Sequence, residues 1–180
     1  MKHVRVLFGL AVAGTLAGGL AGCAGTGMGD GSDTAVAALA SKSGTVTQGS
    51  VTFTQRGNTV LVKADVTGLP PNTEHGFHVH EKGDCSTPDA MSAGGHFNPT
   101  AKPHGSMSMP DHHAGDINNL KADASGRAQA SFELADVTVA PGPNSVVGRA
   151  VVVHKDPDDY KTQPTGNSGG RIACGVIAKS

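Results

Sequence analysis

From residue 46 onward, apolar side chains recur at every second position in short runs separated by turn residues. A period of two puts alternate side chains on opposite faces of an extended chain, so such runs read as half-buried strands. Residues 46–55 and 58–69 form the clearest pair, with Val51 and Phe53 on the first and Val60, Val62, Ala64 and Val66 on the second. Arg56-Gly57-Asn58 between them has hairpin-turn composition, and Gly68-Leu69-Pro70-Pro71-Asn72 stops the second run. Further strands are predicted over 73–81, 145–154 and 171–178, and residues 120–123 and 127–134 read as a hairpin over Ala124-Ser125-Gly126. No segment has the spacing and caps of a long amphipathic helix. The pattern predicts an all-β domain, a Greek-key sandwich or barrel of about eight antiparallel strands. Two long unpatterned stretches, 82–119 and 155–170, interrupt it, and loops of that length in a compact domain usually carry function.

The beginning of the chain follows another pattern. Lys2 and Arg5 lead into an uncharged apolar stretch, 6–20, that is too short to span a ~30 Å hydrocarbon core and fits a signal peptide. Leu20-Ala21-Gly22-Cys23 resembles the lipobox of bacterial lipoproteins, in which the cysteine becomes the lipidated first residue of the mature chain. Residues 24–43 are rich in Gly, Ala, Ser, Thr and Asp with little hydrophobic pattern, as in a flexible tether. The expected organisation is a lipoprotein signal peptide over 1–22, lipidated Cys23 and tether over 23–43, and one domain over 44–180. The expected location is the periplasm, anchored by lipid to a bacterial membrane. Ala24 after the cysteine favours the outer membrane, by resemblance to sorted lipoproteins.

Charge excludes one class of partner. Lys and Arg number 14 against 15 Asp and Glu, with no basic run, which argues against a nucleic-acid ligand. If Cys23 carries lipid, Cys85 and Cys174 remain. In an oxidising compartment they pair; the alternative is two free buried thiols.

Nine histidines are the compositional outlier. His78 and His80 are two apart on a predicted strand, so both imidazoles face one side and can grip one ion. His96 follows in Gly94-Gly95-His96-Phe97-Asn98-Pro99, then His104, His113 and Asp116, and His154 ends the valine-rich strand. Six imidazoles and one carboxylate supply two metal sites if one ring uses both nitrogens. Imidazole suits copper and zinc, and a carboxylate suits zinc better than copper(I). His75 reads as a packed or surface residue, and His112 competes with its neighbour His113. Met107, Met109 and His112 offer copper(I)-compatible groups, either as an aid to copper loading or as an ordinary flexible loop.

Gly76-Phe77-His78-Val79-His80, the Gly94–Pro99 segment, His113-Ala114-Gly115-Asp116 and Gly170-Arg171-Ile172-Ala173-Cys174-Gly175-Val176-Ile177 together resemble the motifs of copper,zinc superoxide dismutases, in the family's order and across the whole domain. The resemblance implies one copper per subunit on His78, His80, His96 and His154, and one zinc on His96, His104, His113 and Asp116, with His96 bridging. It implies that Asp158 links His78 to His104 from behind, that Cys85 and Cys174 form the family disulfide, and that Arg171 docks the superoxide anion, with His96 also taking part in catalysis. Lys155 and Lys161 are candidates for steering it. The implied activity is dismutation of superoxide to oxygen and hydrogen peroxide in the periplasm. The alternative is a non-enzymatic copper/zinc carrier on the same fold. Cys85 stands five residues after His80, as in bacterial members, and that placement leaves open the loop path and whether the chain forms a homodimer.

Overall fold

The computed structural model describes residues 1–3 and 33–180; Cys23 and the expected signal peptide lie outside them, apart from its first three residues. The strands are β1 (Thr34–Ser41), β2 (Gln48–Arg56), β3 (Thr59–Thr67), β4 (Glu74–His80), β5 (Asp116–Lys121), β6 (Ala128–Leu134), β7 (Ala150–His154), β8 (Arg171–Val176) and the short β9 (Ala178–Lys179). Eight of them form one antiparallel path, β5-β4-β7-β8-β1-β2-β3-β6, with β9 beside β1. The result is the expected all-β architecture, a nearly closed barrel.

β2 and β3 are joined by Gly57-Asn58 and stay in register from Arg56↔Thr59 to Gln48↔Thr67. Gly57 adopts φ 56°, which costs glycine nothing and a β-carbon residue something. Val51, Phe53, Val60, Val62 and Val66 all point inward and are fully buried.

Two expectations need correction. Residues 34–41, read as part of a tether, are strand β1, with Ala35, Ala37 and Leu39 buried. This strand joins the two halves of the barrel, pairing with β2 from Thr34↔Thr54 to Leu39↔Gly49 and then with β8 at Ala40↔Cys174 and Ser41↔Ala173. The sequence hides it because Ala-Val-Ala-Ala-Leu-Ala is apolar or small at every position, so no alternation stands out, and alanine is a poor strand former. The second correction concerns the hairpin over Ala124-Ser125-Gly126. The turn forms, with Gly126 N donating to Asp123 O at 3.0 Å, but its flanking strands part. β5 pairs with β4 and β6 with β3, so the turn links the two ends of the path instead of closing a ladder.

β4 and β7 are buried on both faces. Phe77, Val79, Val151 and Val153 enter the main core. Ala150 and Val152 face outward and are covered by a small cluster with Ala90, Ala93 and Cys174. Ala90 and Ala93 belong to the first long loop, which Cys85 ties to β8 through a disulfide with Cys174 across 89 positions. The same loop is clamped by Arg149, whose guanidinium lies 3.5 Å from the Phe97 ring centroid and donates to Glu81 O at 2.8 Å.

Candidate metal centre

The outward face of β4 presents His78 and His80, both fully buried under the loops. His154 comes from the end of β7, which pairs with β4. His96 is laid against β4 by the bridge His80↔His96. Asp116 opens β5, and its neighbour Gly115 passes so close to β4 that a β-carbon would lie 2.2 Å from Val79 O. Only glycine fits that approach. His104 and His113 come from the loop between.

These seven side chains form two groups, each with its donor atoms within 4.8 Å of one another. His78, His80, His96 and His154 make one; His96, His104, His113 and Asp116 make the other. All are buried. Backbone and carboxylate acceptors decide which nitrogen each ring offers. His80 Nδ1 donates to Gly94 O at 2.9 Å and His154 Nδ1 to Gly169 O at 3.3 Å, so both present Nε2. Those two Nε2 atoms face each other at 3.3 Å. His78 Nε2 donates to Asp158 Oδ2 at 2.8 Å and His104 Nε2 to Asp158 Oδ1 at 2.9 Å, leaving both Nδ1 atoms free.

Among the described residues three buried side-chain nitrogens then lack a hydrogen-bond partner: His78 Nδ1, His96 Nε2 and His104 Nδ1. His104 Nδ1 does lie 3.0 Å from Asp116 Oδ2, but out of line for a hydrogen bond. Buried polar atoms are normally satisfied. Unpartnered nitrogens set among clustered donor atoms are what a cation binding in each group would relieve, so the residues fit two metals. His96 is shared: its Nδ1 lies 2.8 Å from Asp116 Oδ1 and 3.5 Å from His113 Nδ1, while its Nε2 belongs to the first group.

Electrostatics agree with that chemistry. Burial holds His78, His80 and His154 below the usual histidine pKa, and His96 falls to about 3, so these rings keep their lone pairs at neutral pH. Burial alone would lower His104 too, but the carboxylates of Asp116 and Asp158 beside the ring outweigh it and push the ring up to about 9. Burial would raise Asp116, yet the three surrounding imidazoles hold it far below the ordinary carboxylate range.

Arg171 begins β8 half-buried and is tied by Nη1 to Ala90 O at 2.7 Å and by Nη2 to Gly94 O at 2.6 Å. With His154, Asp89, Met91 and Thr165 it lines an open cavity of about 340 Å³. Neither Lys155 nor Lys161 lines that cavity; Lys155 borders a separate hollow with Val46 and Pro70. His75 is a packed residue, as expected: Nδ1 donates to His154 O at 2.9 Å and Nε2 meets Thr73 Oγ1 at 2.7 Å, bracing β4 against β7. His112 stays out of the zinc group. Its Nδ1 donates to His113 O at 2.7 Å and its Nε2 faces Asp136 at 3.4 Å, while Met107 packs on the main core.

Sequence reasoning missed the residues that hold the frame. Gln163 grips the His104 backbone twice, accepting from its N at 2.8 Å and donating to its O at 2.9 Å. Asn119 does the same to Asp158, at 2.9 and 3.0 Å. Gly166, at φ 64°, leaves room for Asp158 Oδ1, which a β-carbon would approach to 1.7 Å. Amides and glycines in long loops carry no spacing signal, so only the folded chain reveals them.

A β-barrel that gathers six histidines and one aspartate into two metal sites sharing a ring defines a class of bimetallic protein. A family model described as copper/zinc superoxide dismutase matches residues 47–177. Superoxide dismutase (Cu-Zn) 2 of Aquifex aeolicus (strain VF5) is 46% identical over 122 residues, covering 66% of this chain and 71% of that protein. Superoxide dismutase (Cu-Zn) 1 of the same organism is 43% identical over 133 residues, covering 72% and 79%. A crystal structure of the clock protein EA4 superposes with TM-score 0.74 at 40% identity, covering 82% of this chain and 94% of that one. The chain belongs to the copper/zinc superoxide dismutase family, with a histidine copper site and a histidine/aspartate zinc site bridged by His96.

Proposed function

We propose that the chain dismutates superoxide, and that it does so as an exported lipoprotein anchored in the periplasm through Cys23. The observation that carries the activity is the shared ring: His96 serves both donor groups, beside a cavity reached by His154 and Arg171. Copper, when bound, supplies two oxidation states, so that one superoxide can lose an electron and the next gain one, and zinc supplies a fixed charge without redox chemistry.

The protein's own residues do the rest. Two superoxide anions repel each other, so each is drawn in alone, and the permanent charge of Arg171 at the cavity wall docks it. Carbonyls of Ala90 and Gly94 hold the guanidinium at the cavity that Arg171 lines. His96 Nε2, buried and without a protein partner, holds a proton in one half of the cycle and gives it up in the other. Asp158 keeps His78 and His104 in the tautomers that leave Nδ1 for metal. In balance, two superoxide ions and two protons become one oxygen and one hydrogen peroxide.

Purified protein loaded with both metals tests the activity. The expected result is one copper and one zinc per chain, with dismutation abolished by copper removal or by His154→Ala. Two bound metals without dismutation would sink the enzyme reading in favour of a metal carrier. Export is supported by Lys2 and Arg5 before the apolar stretch, and by the Cys85–Cys174 disulfide, which suits an oxidising compartment. Labelled palmitate should enter the wild-type chain and not Cys23→Ala; equal labelling of both would refute the anchor. Cavity-lining Arg171 gives the activity reading its sharpest check: Arg171→Ala should lower kcat/KM at least about tenfold with metal content unchanged.

A further inference from the structure

The segment from Cys85 to Gly94 orients two functional groups at once. Its Ala90 and Gly94 carbonyls hold the Arg171 guanidinium, and Gly94 O also accepts from His80 Nδ1 at 2.9 Å. Yet the segment belongs to no strand; its own bonds are short-range turns such as Ala90 N to Thr87 O at 3.1 Å and Gly94 N to Met91 O at 3.1 Å. Irregular backbone of this kind opens locally unless something outside holds it.

Beside the Cys85–Cys174 bridge and the buried Ala90 and Ala93, a polar hold comes from the end of β1. Lys42 N donates to Ile172 O at 2.8 Å, laying residue 42 beside the start of β8. From there its ammonium donates to Cys85 O and, at 3.2 Å, to Thr87 O. Ser43 N donates to Pro88 O at 2.8 Å, and Ser43 Oγ donates to Arg171 O at 2.7 Å. A compact ammonium with three donors suits a cluster of carbonyls. Lys42 and Arg171 thus hold one segment by its carbonyls, Lys42 at Cys85 and Thr87 and Arg171 at Ala90 and Gly94. Lys42 lies before the family match, which begins at residue 47.

We propose that Lys42 is a positioning residue for Arg171, its ammonium bracing the Cys85–Gly94 segment on which the guanidinium rests. This deepens the reading of Arg171 as the anion dock. Loss of the charge should let the segment open more often, exposing Arg171 and the Cys85–Cys174 bridge together.

The experiment uses the full, metal-loaded chain and two chemical probes. Phenylglyoxal modification is followed at Arg171 by peptide mass spectrometry, and reduction of Cys85–Cys174 by dithiothreitol is followed by thiol alkylation. In Lys42→Met both rates should rise about five- to tenfold, with copper and zinc content unchanged, and Lys42→Arg should restore both. Rates in Lys42→Met within twofold of wild type would overturn the proposal. So would a rise that Lys42→Arg fails to reverse, since that marks lost packing and not a lost charge. Should Lys42→Met fail to load metal, Lys42→Gln takes the same measurements under the same criteria. Faster probe rates with undiminished dismutation would uphold the brace and count against Arg171 as the dock, so the two readings fail separately.

Discussion

Asp158 touches neither cavity nor any candidate metal donor atom directly, yet both its oxygens are used, one on His78 and one on His104. It makes one rigid piece of the two sites from behind. Asp158→Asn replaces one acceptor by a donor and forces one ring to turn. Zinc affinity should fall by about 10- to 100-fold, read by competition with a chromogenic chelator. Gly166→Ala should copy that defect, because its new β-carbon would overlap the carboxylate at 1.7 Å. A Gly166→Ala protein with wild-type zinc affinity would show that Asp158 can shift without consequence. At this scale the ligands themselves were legible: spacing on a strand and a multiple-motif resemblance named all seven. Their supports were not, since Gln163, Asn119 and Gly166 act through backbone contacts that no residue type announces.

Among the elements, β1 has the largest consequence for its length. Among the described residues it alone links β8 and β2 in the strand path, and its buried side chains are Ala35, Ala37 and Leu39. A chain begun at Gly44 would expose the edges of β2 and β8 to solvent and to other chains. Such a truncation should aggregate or unfold well below the chain begun at Asp33, as seen by calorimetry. Ala37→Asp, which buries an unpaired carboxylate in full-length protein, should cost about 3–5 kcal/mol in urea unfolding. The strands with strong alternation, β2 and β3, were legible to within a few residues, and so were the two long loops. β1 and the parting of β5 from β6 were not, because pairing partners are chosen by barrel closure and not by local pattern.

For the whole molecule, covalent and metal cross-links supplement a core built largely of valine and alanine. The disulfide ties the loop that covers β7 to β8. Replacing both cysteines by alanine should lower stability by about 2–5 kcal/mol, and a smaller change would mean the loop is held by its other contacts alone. Metals act on the same frame. His80 Nε2 and His154 Nε2 face each other at 3.3 Å, and among the described residues three buried side-chain nitrogens have no protein partner. Each metal present at a thousandfold excess over its Kd should add about 4 kcal/mol. Chelation should therefore lower Tm by about 8–16 °C per metal, measured by calorimetry with readdition of zinc and then copper.

The sequence by itself determined the strand-rich class and the histidine and aspartate donor set, while the choice of His113 over His112 came from the family resemblance. These are local matters: side-chain period, residue chemistry and spacing along one strand or loop. Tertiary structure alone decided that residues 34–41 close the barrel, that Asp158 is aligned by Asn119 and Gly166, and that Lys42 reaches the segment under Arg171. Lys42 and Cys85 stand 43 positions apart, Asn119 and Asp158 39, and β1 meets β8 from the far end of the domain, so the energy of these contacts exists only once the path of strands is complete.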